Sequence, residues 1–95
     1  MKIHAYNMES PRTGNPVANQ IIIETDKEYI FQSYGTTIAK QQKGFLGGVT
    51  LDKYYWNYSQ TTLKYLKEFL PNYYNKKEIE EQIKNGNFKT KDLNK

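Results

Sequence analysis

The segment Leu51 to Ser59, reading Leu-Asp-Lys-Tyr-Tyr-Trp-Asn-Tyr-Ser, places four large rings at the junction between two unlike halves of the chain. Before it, β-branched and aromatic residues are punctuated by turn formers; after it, apolar residues recur every three or four positions. A chain patterned this way resolves into a sheet followed by helices, so the expected class is α+β. Tyr54, Tyr55, Trp56 and Tyr58 each carry an apolar face and a polar tip. Such rings suit either a core with hydrogen-bonded edges or a surface that stacks on a partner, and the sequence leaves both uses open.

With 95 residues the chain is expected to form one domain, 1–95, around one modest core. Hydrophobic residues are 37% and aromatics 15% of the total. Ile, Leu and Val are therefore scarce, and the nine Tyr and four Phe must supply much of the buried area.

Residues 1–18 read as an irregular lead-in with a short strand at Ile3 to Tyr6, because Ser10, Pro11, Gly14, Asn15 and Pro16 crowd the segment that follows. A β-meander of three to four strands is expected over 19–51. Gln20 to Thr25 and Glu28 to Tyr34 are its first two strands, turning at Asp26-Lys27. Thr36 to Gln41 returns after Gly35, and Val49 to Leu51 is a short fourth strand or edge segment. Lys43-Gly44-Phe45-Leu46-Gly47-Gly48 matches neither a Walker loop nor a dinucleotide fingerprint and reads as a turn.

Two C-terminal helices complete the pattern. Ser59 is an N-cap for 59–70, where Leu63, Leu66, Phe69 and Leu70 share a face and Pro71 is the stop. Asn75 and Glu78 form a capping-box arrangement for 75–85, with Ile79 and Ile83 four apart and Asn85-Gly86 as the terminator. Residues 87–95 read as a basic, loose tail pinned by Phe88 and Leu93.

The formal charge of +4 is unevenly spread. Residues 1–59 carry six basic against five acidic groups, whereas 60–95 carry eight lysines against five acids. Lys84, Lys89, Lys91 and Lys95 hold most of the surplus. Solvation is the ordinary role of such lysines, and docking to phosphates or to an acidic protein is the alternative. The absence of cysteine excludes disulfides and thiolate metal sites and fits a reducing, cytoplasmic setting. No apolar run suits a signal peptide or a membrane span, so a soluble, unexported chain with no membrane partner is expected. Asn57-Tyr58-Ser59 matches the glycosylation pattern by chance on that reading.

Catalytic constellations are hard to assemble from these residues. His4 is the one imidazole, Ser59 is accounted for by capping, and Ser10 and Ser33 have no partner singled out by spacing. Glu78 and Glu81 share a helix face, but Lys76, Lys77 and Lys84 make ion pairing the simpler account. No enzyme activity, catalytic residue, metal or cofactor is expected.

The block Tyr29-Ile-Phe-Gln-Ser-Tyr34, Thr37-Ile38-Ala39, Leu51-Asp52, Tyr55-Trp56-Asn57-Tyr58-Ser59, Thr61-Thr62, Lys64-Tyr65 and Phe69-Leu70 resembles a family of short uncharacterised proteins of phages, prophages and other mobile elements of low-GC Gram-positive bacteria. Asn15 to Gln20 and Ile83 to Asn94 extend the likeness over most of the chain. Lys27, where a turn glycine is common, and the glycine-rich 44–48 loop depart from it. The resemblance implies a setting and no activity. Small proteins of mobile elements often act by occupying a surface of a host or defence protein, CRISPR effectors included, and need no catalytic group to do so.

The expected function is accordingly a non-enzymatic accessory protein that binds a host or defence protein, as an anti-CRISPR-type inhibitor does. Exposed members of Tyr54, Tyr55, Trp56, Tyr58, Tyr73 and Tyr74 are the candidate anchors, with Lys84, Lys89 and Lys91 as candidate charges. Trp56 is also a natural core residue. Nucleic-acid binding is the alternative, with Tyr29, Phe31, Tyr34 and the Tyr54-to-Tyr58 group as stacking rings and the C-terminal lysines as charge, weakened because rings and lysines fall mainly in different halves of the sequence.

Overall fold

Turn chemistry builds the sheet hairpin by hairpin. The computed structural model describes residues 2–10, 12–44, 48–70 and 75–95. Its first strand, β1 (His4–Glu9), pairs antiparallel with β2 (Pro16–Glu24), the next strand along the chain. Ser10 organises the turn between them: its backbone N–H donates to Asn15 O, its carbonyl accepts from Gly14 N, and its hydroxyl accepts from the Arg12 and Thr13 amides. The crowd of turn formers therefore marks a hairpin loop, and the expected irregular lead-in over 1–18 is corrected to two paired strands.

Thr25 closes the next turn, its backbone and hydroxyl both donating to Glu28 O, and leads into β3 (Glu28–Ser33). Tyr34 and Gly35, at φ 53° and 79°, make the turn into β4 (Thr36–Gln42). Two successive positive φ values are the signature of the hairpin turn whose twist matches its strands. A bulge opposite Phe31 and Gln32 then lets β4 direct the consecutive residues Ile38 and Ala39 into the core. β5 (Val49–Asp52) follows and pairs antiparallel with β4.

Ser59 caps α1 (Gln60–Phe69) by accepting from Thr62 N, and Asn75 with Glu78 forms a complete capping box at α2 (Lys76–Lys84). Gly86, at φ 82°, follows α2 as its stop. The chain next enters β6 (Phe88–Lys91), which lies parallel to β5. Pro71, the other expected stop, is outside the described residues.

The fold is thus α+β, and the described residues form one six-stranded sheet in the order β1-β2-β3-β4-β5-β6 and two helices. The expected three to four strands are too few for two reasons. The turn formers after β1 hide its second half in the sequence, and β6, expected as part of a loose tail over 87–95, carries Phe88 as its one large apolar residue. A four-residue strand has no pattern of its own, but α1 and α2 form the crossover that a parallel neighbour requires.

The buried hydrophobic residues among those described join one cluster on the helix-bearing side of the sheet, including Ile22, Phe31, Leu51, Leu66, Ile79 and Phe88. Phe31 and Phe69 stack at 5.7 Å, and the Ser33 and Thr62 hydroxyls hydrogen-bond at 3.0 Å, which seats α1 over β3. Beside that pair Gln20 is fully buried, with neither carboxamide atom hydrogen-bonded among the described residues. No helix among the described residues is long and apolar enough to cross a membrane.

Two substitutions test this core. Phe88→Ala is expected to lower stability by about 3 kcal/mol in urea denaturation, because it empties a buried site; a neutral result would restore the loose tail. Gln20→Met removes a desolvated amide at similar volume and is expected to raise stability by about 1–2 kcal/mol.

Candidate functional site

Asp52 is the last residue of β5, and its fully buried carboxylate orders the surface beyond it. One oxygen accepts from the Tyr54 and Tyr55 amides at 3.1 and 2.9 Å. The other accepts from Leu93 N and Asn94 Nδ2 at 2.8 and 3.1 Å. Asn94 also grips the Thr37 backbone, its Oδ1 accepting from Thr37 N and its Nδ2 donating to Thr37 O. The aromatic turn, the C-terminal turn and the start of β4 are thereby joined through one side chain.

Trp56 N donates to Asp52 O, and the Trp56 ring enters the core at 8% exposure. As a surface anchor Trp56 is corrected: it is the ring that fastens the turn to the interior. Its neighbours stay outside, with Tyr54 59%, Tyr55 41% and Tyr58 52% exposed. Tyr55 and Tyr58 meet edge to face at 5.7 Å, and Lys53 Nζ sits 5.0 Å from the Tyr54 ring centre. Each contact limits the rotamers of an exposed ring, so the surface is partly preorganised.

Pairing of β5 with β6 brings charge to these rings. Lys53 N donates to Lys91 O, and Lys91 stands opposite Asp52 in the register. Lys89 follows two residues back on the same face of β6. Lys84 does not join them, because it ends α2 ahead of the start of β6, where Phe88 pairs with Val49 at the far end of β5. Tyr73 and Tyr74 lie outside the described residues.

A further residue belongs to this end, one that the sequence offers as a stacking ring for nucleic acid and not among the protein anchors. Tyr34, 55% exposed, is in the β3–β4 turn, beside Thr36 and Thr37 and so at the end of the sheet where Asn94 binds Thr37. Its φ of 53° is a conformation in which a bulky side chain is strained and Asn or Gly is favoured. A tyrosine where the backbone favours a smaller residue is the signal that sets it apart from the other rings.

The opposite end of the sheet is charged. Lys43 donates to Glu24 at 2.7 Å and lies 4.8 Å from the Tyr29 ring centre, and its hydrogen bond to Glu24 holds its ammonium above the ordinary lysine range. Between β1 and α1 runs an open groove of about 460 Å³ with Tyr6, Met8, Ile22, Glu68 and Phe69 on its walls. Burial, followed by the nearby Glu24 charge, raises the Tyr6 hydroxyl pKa above its usual value. His4 is exposed and tilted against Tyr6 at 5.7 Å. Among the described residues no cluster of three metal-ligating side chains occurs.

These features describe a small α+β protein with a tyrosine- and lysine-bearing surface built on a buried carboxylate. Residues 3–86 match the sequence model of a family of unknown function, DUF8033, and the chain belongs to that family. The match takes in both helices and ends before β6. No curated protein and no solved structure matches the chain significantly.

Asp52→Ala leaves the Tyr54, Tyr55 and Leu93 amides without their acceptor. It is expected to destabilise the fold by roughly 3 kcal/mol in chemical denaturation and to speed amide exchange at those three positions. Stability equal to that of the unsubstituted protein would remove Asp52 as the organiser of this end.

Proposed function

We propose that this protein is a non-enzymatic binding module whose partner is another protein, gripped by the end of the sheet that displays Tyr34, Tyr54, Tyr55 and Tyr58. The observation that carries the reading is that four exposed tyrosines share one end of the sheet on turns held by hydrogen bonds to the core. Tyrosine loses little conformational entropy on binding, and a turn already fixed by Asp52 loses less than a flexible loop does. Lys53 and Lys91 at the margin favour a partner surface with carboxylates. The setting implied by the resemblance of the aromatic block makes a host or defence protein of a bacterial cell the partner class, and inhibition by occupancy the mode of action, as in anti-CRISPR proteins.

A second reading is favoured by the nearness of Lys53, Lys89 and Lys91 to the exposed rings, since single-stranded nucleic acids are held by stacking and lysines together. The separation of rings from lysines along the sequence is undone by the parallel pairing of β6 with β5.

The test compares the unsubstituted protein with the Tyr54→Ala/Tyr55→Ala/Tyr58→Ala variant as bait in host lysate, beside Tyr34→Asn. The triple variant is expected to keep its melting temperature and lose the captured protein. Tyr34→Asn is expected to gain a few tenths to about 1 kcal/mol of stability while binding more weakly. Capture that survives the triple substitution removes the tyrosine end as the binding surface. A labelled single strand separates the two readings: three lysines on phosphates predict an affinity falling roughly 20-fold between about 50 and about 200 mM salt, whereas a protein-specific surface shows no strand binding even at low salt.

A further inference from the structure

We propose that the sheet face turned away from the helices is a self-association surface, on which a second copy of this chain stacks sheet against sheet. In register across the strands, that face carries Ala5, Ile23, Ile30, Lys40, Thr50 and Lys89 in one row. Beside it runs the row Asn7, Ile21, Gln32 and Thr37. Ile22 and Phe31, which alternate with these residues, are buried in the core, so both rows point the other way. Ile21, Ile23 and Ile30 are half-buried, yet they belong neither to the core cluster nor to the hydrophobic residues packed against it.

A strand covered on one face alternates apolar with polar residues. β2 instead carries Ile21-Ile22-Ile23, the unbroken run of a strand covered on both faces. Among the described residues only the helix-bearing face has a hydrophobic cluster against it. The open face is also polarised, with its isoleucines on β2 and β3 and its lysines, Lys40, Lys89 and Lys91, on β4 and β6.

That polarity selects the occupant. A polyanion drawn to the lysines would press its phosphates on the isoleucines or leave them wet, and Lys40 already faces Glu28 at 3.9 Å. A second copy related by a two-fold axis between β2 and β3 lays isoleucine on isoleucine and β1 of each copy over β4 of the other. Lys89 and Lys91 then overhang the neighbour's β1 edge and remain in water, so like charges do not meet. Four strands at about 4.8 Å spacing and roughly 17 Å of length give a footprint of about 330 Å² on each copy, or about 650 Å² over both. This is below the ordinary size of a specific interface, so the dimer is weak and reversible and fills only at high micromolar concentration. The tyrosine end lies outside the overlap, so the dimer displays it twice and does not depend on what that end binds.

Sedimentation velocity on the full chain from about 5 to about 200 µM tests the proposal against that size of interface. The expected result is a concentration-dependent passage from monomer to dimer, weakened at least about 100-fold by Ile23→Glu, which buries a carboxylate against its own symmetry mate. Because the chain has no cysteine, Ile30→Cys supplies an independent readout that needs no destabilising change. A thiol-reactive bismaleimide that spans about 10 Å, the separation of two stacked sheets, is expected to cross-link it between copies, and to leave Tyr54→Cys uncross-linked. A monomer at every concentration overturns the proposal, as does a dimer indifferent to Ile23→Glu, or one in which Ile30→Cys fails to cross-link.

Discussion

A carboxylate taken wholly out of water must be met by hydrogen-bond donors, and Asp52 is met by four from two segments that are remote from each other in sequence. The Tyr54 and Tyr55 amides come from the turn that follows it, and Leu93 and Asn94 from the C-terminal turn. Asn94 passes the constraint on to Thr37, so the sheet end that carries the exposed tyrosines is held as a unit. The surface with the strongest claim to a function thus rests on a buried charge that has no ion-pair partner among the described residues.

The same economy governs the two faces of the sheet. With few aliphatic residues available, one cluster beneath α1 and α2 takes nearly all of the buried hydrophobic side chains, and large rings complete it: Phe31, Trp56, Tyr65 and Phe88. What remains is divided between a charged end near Glu24 and Lys43, a tyrosine end, and a second face where isoleucines stand beside lysines. Apart from Ile3 and Tyr6, the exposed large hydrophobic residues among those described are therefore gathered at the tyrosine end.

Local chemistry was legible where one residue type has one dominant use. Ser59 and the Asn75–Glu78 box cap their helices as their spacing implies, and Asp26-Lys27 and Gly35 stand in turns between strands. Legibility failed where the cue was ambiguous. Pro and Gly around residues 10–16 mark hairpin loops and disordered leaders alike, so β1 was cut short and the start of β2 was missed. β6 offers only Phe88-Lys-Thr-Lys, and its stability comes from Val49, Leu51 and the core beneath them. Of the candidate site, Tyr34, Tyr54, Tyr55 and Tyr58 are readable as rings and Trp56 as a natural core residue, whereas the gathering of the four tyrosines at one end of the sheet follows from the fold.

What the amino-acid order settled by itself is the local menu: strand and helix propensities, caps, turns, the lack of cysteine chemistry and the supply of tyrosine and lysine. These depend on contacts between residues close along the chain, whose energies do not await the fold. The tertiary structure decided which rings face water, which face of the sheet stays open, and that lysines near residue 90 lie beside tyrosines near residue 55. Those outcomes depend on pairing a strand with one more than thirty residues away across two helices, and no local energy specifies such a contact until the core that holds it has formed.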